Sequence, residues 1–355
     1  LPILPRHIWE GVESPERFRG KEALVGTGPY RLVDYKPALG AYLYEAFERY
    51  YLGKPEVERI RFVKVSAEMA SVALERGEVN AASVPPEVVE KLRREGFEIE
   101  EAPASWAAKL MINHRKEPFS IKEFRHALAY AIDREKLVRI AMRGHAVPGS
   151  QGLIPPSNRF WFNPNVRRYE HDPSKAREII GKLGLEGLKL QLLFNPDFER
   201  VAELIKGDLE EIGMKVELRS VEHRTLDAML REWRFDLAIT GHGGLCGDPE
   251  ILNKAITGES FISARYFENR ELIRLLDEQL REMNPERRRE IVFRIQEIYA
   301  DELPAITLYY PKWYWAHDGK VDLHHTEGGV ASGIPIPLNK WIFLKLRVRS
   351  EGVRE

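Results

Sequence analysis

The residues best suited to contact a ligand lie in a glycine-rich segment at positions 240–249. This segment follows residues 235–239, a continuously apolar run that is typical of a buried strand. Ligands gather at the carboxyl ends of strands in parallel α/β units, and glycines let the backbone approach them closely. A tight turn without a ligand is the alternative interpretation. We predict that six residues of the segment contact ligand: Gly241, His242, Gly243, Gly244, Leu245 and Asp248.

A second group of candidates is aromatic. Residues 309–315 contain five aromatic side chains, and aromatic faces offer a sugar or a peptide side chain a large contact area of defined geometry. Alternation along a strand turns half of such residues into the core, so core packing is the alternative for each. We predict that Trp313 and Trp315 line a binding cleft, together with Trp106. Asn113 is a further ligand candidate, with a structural hydrogen bond as its alternative.

Residue pairs that would indicate catalysis or a metal are incomplete. His242 and Cys246 could act as base and thiol nucleophile, but a half-buried structural thiol is the simpler interpretation. The Gly-x-Gly sequences at 26–28 and 241–243 do not complete a dinucleotide-binding motif. The pair His324-His325 lacks a spaced third metal ligand. The sequence therefore predicts no catalytic residue, no metal site and no cofactor.

Composition describes an ordinary globular protein. A chain of 355 residues is long enough for two compact units. Its 54 basic and 55 acidic residues give a net charge of -1, which argues against a nucleic-acid partner. No apolar run approaches the roughly 20 residues that span a bilayer, and the single cysteine excludes an intrachain disulfide. Many charged residues beside few glutamines favour a thermophilic source.

The elements that must position the glycine-rich segment form a regular series. Strand-like and helix-like apolar patterns alternate in this order: 188–194, 201–212, 216–218, 226–233 and 235–239. Such a strand-helix-strand-helix-strand series predicts a parallel α/β unit at 188–240.

Helix ends are also marked in the sequence. Ser66 is a predicted N-cap, and Ser120 with Glu123 has the spacing of a capping box. Asp172 precedes a proline at the first helical position, and Gly184 is the predicted end of the same helix.

A series of short phrases lies in one order along nearly the whole chain. The most specific block is residues 113–134, which contains Phe-Arg-His-Ala-Leu-Ala-Tyr-Ala-Ile-Asp-Arg. The other phrases lie at 2–9 (Pro-Ile-Leu-Pro-Arg-His-Ile-Trp), 26–30 (Gly-Thr-Gly-Pro-Tyr), 50–55 (Tyr-Tyr-Leu-Gly-Lys-Pro), 77–80, 154–156, 172–173, 248–249 and 303–306. This ordered set resembles extracellular solute-binding protein family 5, the peptide, nickel and oligosaccharide receptors of ABC importers.

The resemblance implies an α/β, two-lobed fold of the type II (cluster C) periplasmic-binding-protein kind, with a hinge between the lobes. One lobe would hold residues 1–108 and 312–355, and the other residues 109–311, with hinge segments near 109–113 and 308–313. Closure of such lobes on a ligand creates the shape that a permease reads. Family members carry a further N-terminal segment, and we expect this sequence to lack it and its first lobe to be incomplete.

The resemblance also implies a function. The protein would be an extracytoplasmic, monomeric substrate-binding protein and not an enzyme. It would deliver an oligopeptide or similar small solute to the membrane subunits of an ABC permease. A nickel chelate, to which His242 could offer an imidazole, or an oligosaccharide is the alternative within the family. A peptide or glycoside hydrolase that uses Asp236 or Asp248 is the alternative from another class.

One position decides how far peptide recognition carries over. In peptide-binding members of the family, an aspartate of this loop pairs with the amino group of the peptide. If Asp248-Pro249 matches the Asp-Pro pair of the family, Leu245 stands where that aspartate would be. If the loop is shortened, Asp248 takes that role instead. The sequence leaves both alignments open.

Overall fold

The computed structural model describes residues 4–323 and 340–349, so the pair His324-His325 lies outside the described residues. The described chain forms two compact units. Unit 1 contains residues 4–102, 313–323 and 340–349, and unit 2 contains residues 103–312. The chain thus passes between the units at 102–103 and 312–313. That the units are the two lobes of a receptor stays a prediction.

The strands are β1 (Tyr30–Lys36), β2 (Ala41–Ala46), β3 (Arg59–Phe62), β4 (Ala81–Val84), β5 (Glu98–Ala102), β6 (Ala107–Ile112), β7 (Ala146–Pro148), β8 (Lys189–Phe194), β9 (Lys215–Ser220), β10 (Leu237–His242), β11 (Ala305–Pro311) and β12 (Trp313–His317). The helices are α1 (Arg6–Trp9), α2 (Ala67–Glu75), α3 (Val89–Arg94), α4 (Lys122–Ala131), α5 (Arg134–Lys136), α6 (Pro173–Leu183), α7 (Glu199–Glu211), α8 (His223–Arg231), α9 (Ile251–Ile256), α10 (Arg270–Gln279), α11 (Pro285–Glu302) and α12 (Lys340–Lys345).

Unit 2 is built on a six-stranded sheet with the strand order β7-β11-β6-β10-β8-β9. Strands β8, β9 and β10 run parallel, which confirms the parallel unit predicted at 188–240. Strand β6 runs antiparallel to both of its neighbours, β10 and β11. Residues 109–112 are therefore a paired strand inside this sheet, and the expected boundary at 108–109 falls within β6. The passage between the units at 312–313 lies within the other expected hinge segment, 308–313. The bounds of the lobes and the hinge stay predictions.

The core of unit 2 covers both faces of this sheet. Along β6, Leu110 and Ile112 pack with helices α4, α6 and α7 on one face, while Ala107 and Met111 pack with helices α8 to α11 on the other. All six residues of β6 are buried. Burial of a single side chain such as Leu110 stabilises the fold by about 2 kcal/mol, so this doubly covered strand anchors the unit.

Helix ends follow the sequence where the cap is local. Asp172 accepts a hydrogen bond from the Lys175 amide, and Gly184 ends α6 with a φ of 66°. The predicted capping box is wrong, because α4 begins at Lys122 after Ile121 and no side chain caps it. Ser66 occupies the N-cap position of α2 but makes no side-chain capping bond.

Unit 1 contains two three-stranded sheets, β1-β2-β3 and β4-β12-β5. The second sheet places Tyr314 and Ala316 in a small core with α2 and α3. The aromatic run at 309–315 is therefore two strands in different units: β11 ends at Pro311, and β12 begins at Trp313.

Both edges of the large sheet are poor sites for further strand pairing. At one edge, β7 has three residues and ends in Pro148, which has no amide proton to donate. At the other edge, β9 exposes Lys215, Glu217 and Arg219. Short edges, prolines and charges are the features that discourage edge-to-edge pairing.

A glycine beside β11 provides a test of the sheet packing. A Cβ on Gly149 would lie 2.2 Å from the carbonyl oxygen of Thr307. Because this contact is with backbone, Gly149→Ala should destabilise the protein by about 3 kcal/mol. Gly207 lies inside α7, where a Cβ would have open space around it, so Gly207→Ala should stabilise the protein by about 0.5–1 kcal/mol. Urea unfolding of both variants measures this; equal stabilities would contradict the packing described.

Candidate functional site

The glycine-rich segment begins on a strand and not in a loop as predicted. Strand β10 continues to His242, which lies opposite Ala107 of β6 in the antiparallel register. Pairing with β6 therefore orders Thr240, Gly241 and His242, and the loop itself comprises residues 243–249. We call residues 243–249 the glycine loop.

Three backbone contacts hold the glycine loop in place. The Leu245 amide donates to the Ser105 carbonyl at 3.1 Å. The Asn158 side-chain amide donates to the carbonyls of Leu245 at 2.9 Å and Gly247 at 3.2 Å. Gly244 has a φ of 91°, which only glycine adopts without strain. The loop is thus fixed before any ligand arrives, while the Leu245 side chain is fully buried in the core.

The only carboxylate of the segment is already paired. Oδ1 of Asp248 accepts from Arg288 Nη2 at 2.6 Å and from the Glu250 amide at 2.9 Å, and Oδ2 accepts from Arg288 Nη1 at 2.8 Å. Burial opposes ionisation of this group, but the bonds from Arg288 and the Glu250 amide lower the pKa of Asp248 below its ordinary value. Asp248 therefore fastens the end of the loop to α11.

The ring of Trp106 packs directly against Gly241. A Cβ on Gly241 would lie 2.0 Å from Trp106 Cη2 and 2.6 Å from the Ala107 carbonyl oxygen. The Trp106 ring stacks on Phe198 with 6.3 Å between ring centroids and 14° between planes. Gly241 is thus required for the packing of Trp106, and the structure brings both residues beside the glycine loop.

His242 is buried with one free nitrogen. Its Nδ1 lies 2.9 Å from the Gly243 carbonyl, so Nδ1 carries the proton and Nε2 presents a lone pair. Among the described residues Nε2 has no hydrogen-bond partner. Burial, assisted by the charge of Lys109, lowers the pKa of His242 to about 3. The ring is therefore neutral at physiological pH.

Lys109 is a buried ionisable residue close to the glycine loop that the sequence prediction did not include. It lies on β6 between Thr240 of β10 and Thr307 of β11. The side chain is 0% exposed, and Nζ donates to the Ile262 carbonyl at 2.8 Å. In the described ranges no carboxylate lies within 4.0 Å of Nζ, and burial lowers the pKa of Lys109 to about 7. A lysine in an otherwise apolar strand at 107–112 was the available signal.

Asn113 lies away from the other candidates. Because β6 and β10 are antiparallel, Asn113 is beside Asp236 at the start of β10, whereas the glycine loop follows its end. The five steps between the six paired residues, at about 3.4 Å each, separate the two ends of the ladder by about 17 Å. The Asn113 amide donates to the carbonyls of Trp233 and Phe235. These contacts favour a structural role for the Asn113 side chain over contact with a ligand.

The Asn113 end of the sheet has its own open groove. The groove has a volume of 970 Å³ and is lined by Trp233, Asp236, Lys116 and Lys215 among others. Lys116 is paired with Asp236, whose other oxygen accepts from the Gln191 amide at 2.8 Å. This groove shares no residue with the glycine loop.

Trp313 and Trp315 belong to unit 1. They point to the same side of β12, opposite the buried Tyr314, and Trp313 is 49% exposed. They are thus available for contact on that face of unit 1, and their role in a cleft stays a prediction.

The contacts of Cys246 do not support the alternative in which Cys246 and His242 act as nucleophile and base. The Cys246 thiol donates to the Ala104 carbonyl at 3.2 Å, and burial raises the pKa of Cys246, which makes a thiolate nucleophile unfavourable. In residues 4–323 and 340–349, no group of three or more His, Cys, Asp or Glu side chains is placed to hold a metal ion. Over the same ranges no helix has the length and apolar character of a membrane span.

A family model and several known proteins match the sequence of this chain. Residues 3–262 match the model of the family described as bacterial extracellular solute-binding proteins, family 5 Middle. The dipeptide-binding protein of Escherichia coli is 26% identical over 238 residues, which is 64% of this chain and 44% of that protein. The chain spans about half the length of the curated relatives that it matches.

Solved structures show the same fold. The ABC transporter substrate-binding protein CtaP from Listeria monocytogenes superposes with a TM-score of 0.82 at 24% identity, covering 97% of this chain and 71% of that chain. NikZ from Campylobacter jejuni, solved in complex with Ni(L-His), gives a TM-score of 0.71 at 20% identity, covering 90% and 68%. The fold is thus the α/β fold of periplasmic solute-binding proteins.

The buried Lys109 leads to a stability prediction. Its pKa is about 7 in the folded chain against 10.5 for the free side chain, so the unfolded chain binds more protons between these values. Stability should therefore fall as the pH is lowered from about 10 to about 7. Lys109→Met should stabilise the protein at pH 7 by at least about 1 kcal/mol, with a smaller gain at pH 9.5.

Urea unfolding at the two pH values measures this effect. Lys189→Met is the matched control, because Lys189 is an exposed lysine on β8 of the same sheet. A loss of stability in Lys109→Met that does not change with pH would contradict the cost of burying the amine.

Proposed function

Because the chain belongs to the bacterial extracellular solute-binding proteins of family 5, we propose that it is the substrate-binding component of an ABC importer. In this role it captures an oligopeptide or a similar small solute outside the cytoplasm and delivers it to the membrane subunits of a permease. A peptide is the proposed ligand because the dipeptide-binding protein of Escherichia coli is among its relatives.

The observation that carries the proposal is the fixed glycine loop at the carboxyl end of β10. Ser105 and Asn158 hold its backbone, and Gly244 gives it a conformation that other residues adopt only with strain. A loop that is ordered before binding loses little conformational entropy on contact with a ligand. Carboxyl ends of strands are also where ligands bind in α/β sheets.

A nickel chelate is the second candidate, and one contact favours it. The Gly243 carbonyl fixes the proton of His242 on Nδ1, and the Nε2 lone pair, which is buried, has no partner among the described residues, so a chelate would bind it only after a local opening. This is the arrangement that metal-binding histidines adopt, and the solved structure of NikZ contains Ni(L-His). An oligosaccharide remains an alternative without a specific contact in its favour.

A hydrolase is the weaker proposal on geometric grounds. Paired catalytic carboxylates of glycosidases lie about 5–9.5 Å apart. Asp236 precedes β10 and Asp248 follows it, so the two carboxylates lie beyond opposite ends of a six-residue strand that spans about 17 Å. Both carboxylates are also occupied, by Lys116 and by Arg288.

Native mass spectrometry of the purified chain, beside a denatured control, tests the ligand class. A peptide mass that is lost on denaturation is the expected result. A nickel-containing adduct would instead select the chelate. If the chain retains no added peptide, sugar or chelate, the receptor proposal is wrong.

Substitutions at two glycines with positive φ distinguish an effect on ligand binding from an effect on folding. Gly244→Ala should lower ligand affinity at least tenfold, because strain of about 1–3 kcal/mol redirects the loop backbone. Gly184→Ala introduces comparable strain at the end of α6, with a φ of 66°, away from the glycine loop. Both variants should lose similar stability in thermal unfolding, but only the first should lose affinity in titration calorimetry. Equal ligand affinities of the two variants would show that the glycine loop is not part of the binding site.

A further inference from the structure

We propose that the group recognised at the glycine loop is an anionic group of the ligand, such as a peptide carboxylate, and that Lys109 determines this preference. The inference rests on the proposed receptor function and assigns the chemistry of its ligand. It replaces the expectation that an aspartate of this loop pairs with the amino group of a peptide.

The glycine loop has no unpaired carboxylate to offer an ammonium group. Asp248 is the only acidic residue in positions 240–249, and both of its oxygens accept hydrogen bonds, from Arg288 and the Glu250 amide. An ammonium that approaches the Asp248 side chain, which is 55% exposed, meets a carboxylate whose charge Arg288 already balances. Breaking a bidentate pair of this kind is unfavourable.

The other candidate position is apolar. Leu245 is 0% exposed, and its backbone is fixed by Ser105 and Asn158. Neither alignment of the loop with the family therefore supplies a free carboxylate at this place. The segment at 240–249 therefore has no unpaired carboxylate with which to bind a positively charged group of the ligand.

A lysine instead lies directly behind the loop; its pKa of about 7 leaves it partly charged at neutral pH, and a nearby anion favours the charged form. Lys109 lies opposite Thr240, two residues before His242 on β10, and both side chains point to the same face of the sheet. Its ammonium has three protons, and one bond, to Ile262, is formed within the described chain. The influence of Lys109 on the pKa of His242 shows that its field reaches the start of the loop.

A buried amine without a carboxylate partner gains most from an approaching anion. Lys109 is fully enclosed, so it acts on the ligand through its field and not by contact. The effective dielectric constant at protein sites is about 20, against about 80 in water, so the charge acts about four times more strongly there than at the same distance in solvent. Backbone amides of a glycine-rich loop add donors suited to an anion. Together they favour a carboxylate over an amide or an ammonium.

A competition experiment with peptides of defined ends tests the preference. The full chain is incubated with an equimolar random tripeptide library in four forms: free or acetylated amino end, each with a free or amidated carboxyl end. Native mass spectrometry then reads the retained peptides. We expect free carboxylates to exceed amides by about tenfold or more whatever the amino end carries, since charge-assisted contacts are the stronger ones.

Variants assign the preference to one residue. In Lys109→Met the ratio of acid to amide should fall below about threefold, while Lys189→Met should retain the wild-type ratio. If thermal unfolding shows that Lys109→Met is not folded, Lys109→Gln is used in its place. An unchanged ratio in the folded Lys109 variant, equal retention of acids and amides by wild type, or a requirement for a free amino end would each overturn the inference. Retention of no tripeptide would overturn the proposed peptide receptor itself, and the inference with it.

Discussion

The pairing of β6 with β10 and β11 is the constraint on which unit 2 depends. It covers a fully buried strand on both sides and sets the antiparallel register that brings Ala107 beside His242. The same register puts Lys109 behind the glycine loop and carries Asn113 to the far end of the sheet. A shift of one residue would exchange the two faces of β6. It would place Lys109 among the apolar residues around α4 and α7.

Features coded within a few residues could be predicted from the sequence. The parallel unit at 188–240, the cap at Asp172 and the end of α6 at Gly184 depend on local spacing, and the structure confirms them. The capping box predicted at Ser120 is wrong, because α4 begins only at Lys122, with Ile121 and not Ser120 at the N-cap position. The aromatic run at 309–315 looked like one strand because both of its halves have strand character. Only the tertiary structure separates β11 from β12.

The site was harder to predict than the fold because its decisive contacts join distant residues. Lys109 and Ile262 are 153 positions apart, and Asp248 and Arg288 are 40 apart. No local pattern reveals that an aspartate in a glycine-rich loop is already held by an arginine of α11. The sequence pointed to the segment at 240–249 through its glycines and its position after a strand, and its contact with a ligand stays a prediction. It could not show which side chains are occupied, and occupancy determines what chemistry is left for a ligand.

The two edges of the large sheet have a consequence for how the protein survives at high concentration. An open sheet edge is a template on which other chains add strands and aggregate. Here Pro148 withholds a donor at one edge, and β9 exposes charged side chains at the other, which pairing with a further strand would have to desolvate. Even when the rest of the sheet is transiently uncovered during folding, neither end offers a long, apolar strand for growth of a fibril. Unit 2 therefore contains its own protection against self-assembly.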